Sequence, residues 1–340
     1  MNLIYKTTRL IATICIVALT KLSAETITLY TYRHYESDDA LFQRFTERTG
    51  IEVEVVKSKA GALVERLNAE GATTPADVLL TVDVGGLYLA QEAGVLQPLE
   101  SNYLDERIPE YLREPQGYWY GLTKRARVIV YNPDFVNAEE LSTYEALAGA
   151  EWKGRLLARS SSNIYNQSLL ASILANSDSA TATAWAKAVR ENMARPPQGN
   201  DRDQMRAVAA GLADVALVNT YYLGLLAHSE NKKDRDVAAK LRLFFPNQND
   251  RGTHINISGA GVVKHADNFS GAQKFIEFLA SDEAQQVLPE TTSEYPVVES
   301  VEWSPLQKSW GKFKADQTSI SSIGKLNPEA IRCFNKAGWE

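Results

Sequence analysis

Residues 25–94 alternate between short strands and amphipathic helices, and that alternation constrains the fold more than any other feature of the chain. Thr26-Ile27-Thr28-Leu29-Tyr30 alternates polar with apolar side chains, the period of a strand. Ser37 is placed to cap a helix whose first turn holds Asp38 and Asp39, where the positive end of the helix dipole favours acids. Leu41, Phe42 and Phe45 give that helix an apolar face, and Gly50 stops it. A second strand is expected over 51–56, and a second helix on Leu63, Val64 and Leu67. A third strand over 78–82 and a helix closing at Gly94 complete the series. Each helix carries the chain back before the next strand begins, so the implied unit is an α/β lobe with a mostly parallel sheet.

Two longer extended runs imply a second lobe. Residues 122–131 form one, stopped by Asn132-Pro133, with Arg125 and Arg127 alternating with apolar neighbours; it is expected to cross out of the first lobe. Beyond it, Leu156-Leu157-Ala158 reads as a strand, and Ser160-Ser161-Ser162-Asn163 precedes a helix opening with Ile164-Tyr165. Helical stretches over 185–193 and 201–211 lead to an apolar strand over 214–218 and then Asn219-Thr220-Tyr221-Tyr222. Lys232-Lys233-Asp234-Arg235-Asp236 reads as solvated surface, and the Gly-rich run 252–263 is a candidate return crossing. The expected division is a leader at 1–24, a first lobe at 25–124 with a return segment at 256–300, and a second lobe at 125–255 with a C-terminal segment at 301–340. A cleft should separate the lobes. Ligands of such sheets sit beyond the carboxyl ends of the strands, where loops meet helix N-termini.

The first 24 residues have the layout of a secretory signal. Lys6 and Arg9 precede a ten-residue apolar core over 10–19, and Leu22-Ser23-Ala24 offers a cleavage site. No stretch approaches the roughly 18 apolar residues of a membrane span, so a soluble exported protein is expected. Losing Lys6, Arg9 and Lys21 with the leader takes the formal charge from -6 to -9. An acidic chain is ill suited to nucleic acid, whose affinity rests on basic contacts to phosphate.

Of the two cysteines, Cys15 lies in the leader, so the mature chain keeps only Cys333 and forms no internal disulfide or thiolate metal site. The four histidines, His34, His228, His254 and His265, do not form a zinc motif. No GxSxG elbow is present either, and an exported hydrolase is disfavoured. Phenol is the abundant specialised ligand, with 15 tyrosines in the chain.

Three tyrosine positions fall where expected strands end: Tyr35 after 25–30, Tyr165 after 156–158, and Tyr221 with Tyr222 after 214–218. Hard cations select oxygen ligands. A highly charged ion also overturns the ordinary preference of a phenol, which titrates near 10. Four phenolates would nearly neutralise a ferric ion, whereas calcium or magnesium would call for carboxylates and carbonyls. Helix neighbours point roughly 100° apart, so Tyr221 and Tyr222 converge on one ion only from a first turn facing a cleft. Helix N-termini around a cleft also suit anions. A small oxyanion or anionic metabolite, and ferrous iron, are therefore the competing ligands.

Tyr32-Arg33-His34-Tyr35, Pro75-Ala76-Asp77-Val78, Gly199-Asn200-Asp201-Arg202-Asp203-Gln204, Asn219-Thr220-Tyr221-Tyr222 and His254-Ile255-Asn256-Ile257-Ser258-Gly259 together resemble the periplasmic iron-binding proteins of ABC-type ferric importers. The tyrosine-rich branch known from cyanobacteria is the most similar. The resemblance implies a two-lobed type II periplasmic binding fold, without enzymatic activity. It holds one Fe(III) per chain as transported cargo and passes it to an inner-membrane ABC permease; a monomer is expected. It implies Tyr35 as the ligand from the first lobe and Tyr165, Tyr221 and Tyr222 from the second. His34 matches a histidine ligand of other branches and is a candidate fifth. Those branches also place a glutamate after the third strand, where this chain has Val82 followed by Asp83. Tyr32, Tyr118 and Tyr120 are expected to pack, Cys333 to be buried, and Arg125 or Arg202 to orient a phenolate.

Overall fold

The computed structural model describes residues 25–33 and 37–340. The expected leader and the candidates His34 and Tyr35 lie outside the described residues. The series opens with β1 (Thr26–Thr31), α1 (Ser37–Thr49), β2 (Glu52–Lys57), α2 (Ala60–Glu70), β3 (Val78–Thr81) and α3 (Val84–Glu92). β4 (Leu96–Gln97), α4 (Asn102–Arg107) and the long β5 (Tyr120–Tyr131) follow. The middle of the chain supplies β6 (Leu156–Leu157), α5 (Ile164–Ala175), α6 (Ser179–Glu191), α7 (Asp201–Ala209), β7 (Val215–Asn219), α8 (Thr220–Ala227), α9 (Lys232–Lys240) and β8 (Arg242–Phe244). β9 (Ile255–Val263), α10 (Phe269–Leu279), α11 (Asp282–Thr292), β10 (Tyr295–Pro296), α12 (Pro305–Ser309) and α13 (Ile320–Ala337) complete it.

Local chemistry sets the helix starts. Asp83 accepts from Gly85 N at the head of α3, Asn163 from Tyr165 N at α5, and Asp178 from Thr181 N at α6, each satisfying an amide that the helix cannot. The charge run at 232–236 is solvated as expected but helical: Lys232 and Asp236, one turn apart, pair along the exposed face of α9.

The strands form one mixed sheet in the order β2-β1-β3-β9-β5-β7-β6. Parallel pairing is confined to β2-β1-β3 and to β6-β7. The two long runs, β5 and β9, lie antiparallel to each other and to their other neighbours. β5 is the shared strand. Its first part, Tyr120 to Ala126, pairs with β9, and from Arg127 to Tyr131 it pairs with β7. The change of partner therefore falls between Ala126 and Arg127, within the strand that crosses between the two lobes.

Apolar packing runs through both lobes. Phe45 of α1 meets Phe275 of α10 edge-on at 5.1 Å in the first, and Leu170, Trp152 and Val218 are buried in the second. Each such side chain contributes about 1.5–3 kcal/mol on leaving water. α13 packs on α3 of the first lobe and on α5 and α6 of the second. Among the described residues no helix is long and apolar enough to cross a membrane.

β9 passes so close to the start of β5 that a Cβ at Gly261 would lie 2.4 Å from the Tyr118 carbonyl oxygen. Backbone cannot yield as a side-chain tip can. Gly261→Ala is expected to lower unfolding free energy by roughly 1–3 kcal/mol, the usual range for overpacking, read as a lower urea midpoint at unchanged slope.

Candidate metal centre

β7 ends at Asn219, and Tyr221 and Tyr222 are the second and third residues of α8, so both phenols start from a first turn, as expected. Asn219 does not cap this helix through its side chain; its Oδ1 accepts instead from Arg127 Nη1 at 3.2 Å. Tyr165 stands at the corresponding place in α5, its own amide held by Asn163. The three side chains meet. Tyr221 donates its hydroxyl hydrogen to the Tyr165 hydroxyl at 3.2 Å. The Tyr221 and Tyr222 rings lie 4.2 Å apart at 33°. All three are nearly excluded from solvent.

Positive charge surrounds this cluster. The Arg125 guanidinium carbon lies 5.5 Å from the centre of the Tyr165 ring and that of Arg159 lies 5.6 Å from it. Arg202, by contrast, is exposed on α7. Burial, then the neighbouring Tyr165 and the Asp201 carboxylate, push the Tyr222 phenol above its ordinary pKa, while Tyr221 and Arg159 pull the other way. Burial opposes the Arg125 charge, but Glu294, Asp83, Tyr165 and Tyr221 outweigh it and raise its pKa. Three buried phenols brought together beside two guanidinium groups offer the oxygen donors that a hard trivalent ion selects. Among the described residues no group of three or more His, Cys, Asp or Glu could hold a metal.

Other expectations divide. Tyr120 packs as anticipated, donating to the Leu99 carbonyl, and Cys333 is buried. His228 and His265 are exposed. His254 is buried beneath Arg127 and Arg251; burial first, then those charges, push it down to about 3, so it stays neutral. Tyr32 packs too, but its buried hydroxyl has no hydrogen-bond partner among the described residues, and a Cβ on Gly86 would lie 2.3 Å from it.

Several residues that shape the site are not evident from motif reading. Asp83 faces Arg125 Nη2 at 3.5 Å and accepts from Ser168 Oγ of α5 at 3.1 and 3.3 Å, so one carboxylate of the first lobe touches the second. Glu294 accepts from Arg33 Nη1 at 3.2 Å and from Thr123 Oγ1 at 2.5 Å, and faces Arg125 Nη1 at 3.8 Å. Arg33 also grips Asp38 with two bonds, of 2.9 and 3.0 Å. The one available signal for these was a pair of arginines inside an apolar strand, since buried charges must find partners.

Residues 40–315 match the family model of bacterial extracellular solute-binding proteins. The chain belongs to that family. It is 51% identical to iron uptake protein A1 of Synechocystis over 92% of this chain and 87% of that protein. It is 29% identical to the major ferric iron-binding protein of Neisseria meningitidis over 92% and 93% of the two chains. Among solved structures, the Trichodesmium protein IdiA, or FutA, in complex with iron and citrate ligands superposes with a TM-score of 0.90 at 51% identity, over 93% of this chain and all of that one. The ferric binding protein of Campylobacter jejuni superposes with a TM-score of 0.88 at 43% identity, over 92% of this chain and all of that one. The two-lobed fold expected from the strand and helix pattern is therefore that of ferric-binding members of the family.

Asp83 makes the solute-binding fold sensitive to pH. Burial pushes its carboxyl up to about 6 from an ordinary 3.8, against the pull of Arg125, the Gly85 amide and Ser168. Its contribution to stability is complete below the unfolded pKa and is lost as pH rises through the folded one. Relative to Asp83→Asn, the wild type should lose on the order of 2–3 kcal/mol between pH 4 and pH 7. Parallel urea titrations of the two proteins across that range measure it; a constant difference would contradict it.

Proposed function

We propose that this chain carries ferric iron, binding one Fe(III) between its lobes through Tyr165, Tyr221 and Tyr222 of the second lobe and Tyr35 of the first, with His34 as the fifth ligand. The supporting observation is the meeting of three buried phenols at two helix N-termini beside Arg125 and Arg159. The iron-binding descriptions of its relatives point the same way. We assign residues 25–124 and 256–300 to the first lobe, and 125–255 and 301–340 to the second. The leader at 1–24 exports the chain to the periplasm. There it acts as a monomeric carrier, not an enzyme, and hands its iron to an inner-membrane ABC permease.

The phenols do the chemistry. Each gives up a proton as the ion arrives, so loading releases protons and weakens as pH falls. The amide ends of α5 and α8 favour the negative oxygens that result. Closure by hinge motion of the lobes is the established mode of periplasmic binding proteins, and β5 with the segment entering β9 supplies the crossings.

Phenolate bound to Fe(III) absorbs visible light, and this gives a direct test. Titration of metal-free protein with ferric citrate should develop a visible band. Tyr165→Phe, Tyr221→Phe and Tyr222→Phe should each weaken the band and lower affinity more than tenfold, at least about 1.4 kcal/mol. A wild type that stays colourless while binding iron would rule out the phenolate centre.

A further inference from the structure

The phenols come from two elements, Tyr165 from α5 and Tyr221 with Tyr222 from α8. A single buried carboxylate joins the two. Asp201 opens α7 but does not cap it; Asn200 and Asp203 do that between them. Its side chain is thereby available to other partners. Oδ2 accepts from the Asn219 amide at 2.9 Å and from Arg127 Nη1 at 2.8 Å, and Oδ1 faces Arg159 Nη1 at 3.6 Å. Arg127 completes the circuit through Nη2, which donates to Asn166 Oδ1 at 2.6 Å. Asn166 in turn donates to the carbonyls of Arg159 and Ser160 at 2.9 and 3.2 Å.

Asn219 lies two residues before Tyr221, and Asn166 is the neighbour of Tyr165. The backbone under Tyr221 and Tyr222 and the backbone under Tyr165 are thus hung from the same carboxylate–guanidinium pair. Arg159, held against Asp201, also faces the Tyr165 ring. Asp201, Arg127, Asn166 and Asn219 are all buried, and charge-assisted bonds of this kind are short, strong and directional. We infer that Asp201 is the positioning residue of the metal centre: through Arg127, Arg159 and Asn219 it sets the distance and angle between the phenols of α5 and α8. This inference rests on the phenolate reading above. Side chains that orient ligands in this way commonly change metal affinity 10–100-fold when lost.

The test uses the full mature chain loaded with ferric citrate and compares wild type, Asp201→Asn and Asp214→Asn. Asp214 pairs with Arg155 before the opposite end of β7, at 2.5 Å, and serves as a stability control. Asp201→Asn should shift the maximum of the visible band and lose iron to a competing chelator about tenfold or more readily. Asp214→Asn should unfold at lower temperature with the band unmoved. A cooperatively melting Asp201→Asn with wild-type band position and iron retention overturns the inference and leaves the phenolate centre standing. A wild type with no band overturns both. If Asp201→Asn does not melt cooperatively, Asp201→Glu, which keeps the charge but changes the reach of the carboxylate, takes its place: a shifted band supports the inference, and an unmoved one overturns it.

Discussion

The buried charges of β5 tie together groups that lie far apart along the chain. Arg125 lies between Glu294 on one side and Asp83 on the other, and all three are almost without solvent contact. Taking such groups from water costs several kcal/mol each, and removing one partner of a buried pair costs about 3–5 kcal/mol. Against a whole-protein stability of about 5–15 kcal/mol, that is too large for an incidental arrangement. The cost is met by dense bonding. Glu294 draws on Arg33, Thr123 and Ser258, and Asp83 on Ser168 and the Gly85 amide. The strand pairing of β5 with β9 and β7 brings these groups within reach.

The network also explains why Asp83 occupies the place it does. Here the acid at 83 faces the α3 amides, Ser168 and Arg125, so its charge is spent on the contact between lobes. In the proposed centre the phenols supply the negative charge that an ion requires. Three of them crowd together where helix amides and two guanidinium groups face them. A strong cation can displace the proton of a phenol, whose ordinary pKa is near 10, and the proposed centre relies on that exchange.

Much of this was legible in the chain, for a definite reason. The period of apolar residues over 25–94 is a local property, and it marked β1, α1, β2, α2, β3 and α3 near their true ends. The apolar run before Asn219 likewise placed Tyr221 and Tyr222 in a first turn, because a buried strand that ends in polar residues commonly feeds a helix. Strand direction was less legible. Nothing in the Gly-rich run at 252–263 indicates that β9 inserts between β3 and β5 and runs antiparallel to both. The side-chain pairings were hidden more deeply. Arg127 and Asp201 stand 74 residues apart, and Thr123 and Glu294 stand 171 apart. No periodicity carries that information.

What the local pattern did carry was the spacing of Arg125 and Arg127, and the structure shows why two residues matter. Side chains two apart on a strand share a face. The partner of β5 changes between Ala126 and Arg127. The two guanidinium groups therefore leave the same face but answer to different lobes: Arg125 to Asp83 and Glu294, Arg127 to Asp201, Asn166 and Asn219. A register slip of one residue would carry both charges to the opposite face, away from every acid named here. The spacing thus fixes the register of the crossing strand, and with it the approach of Tyr165 to Tyr221. In this strand the two charges are divided between the groups at its two ends.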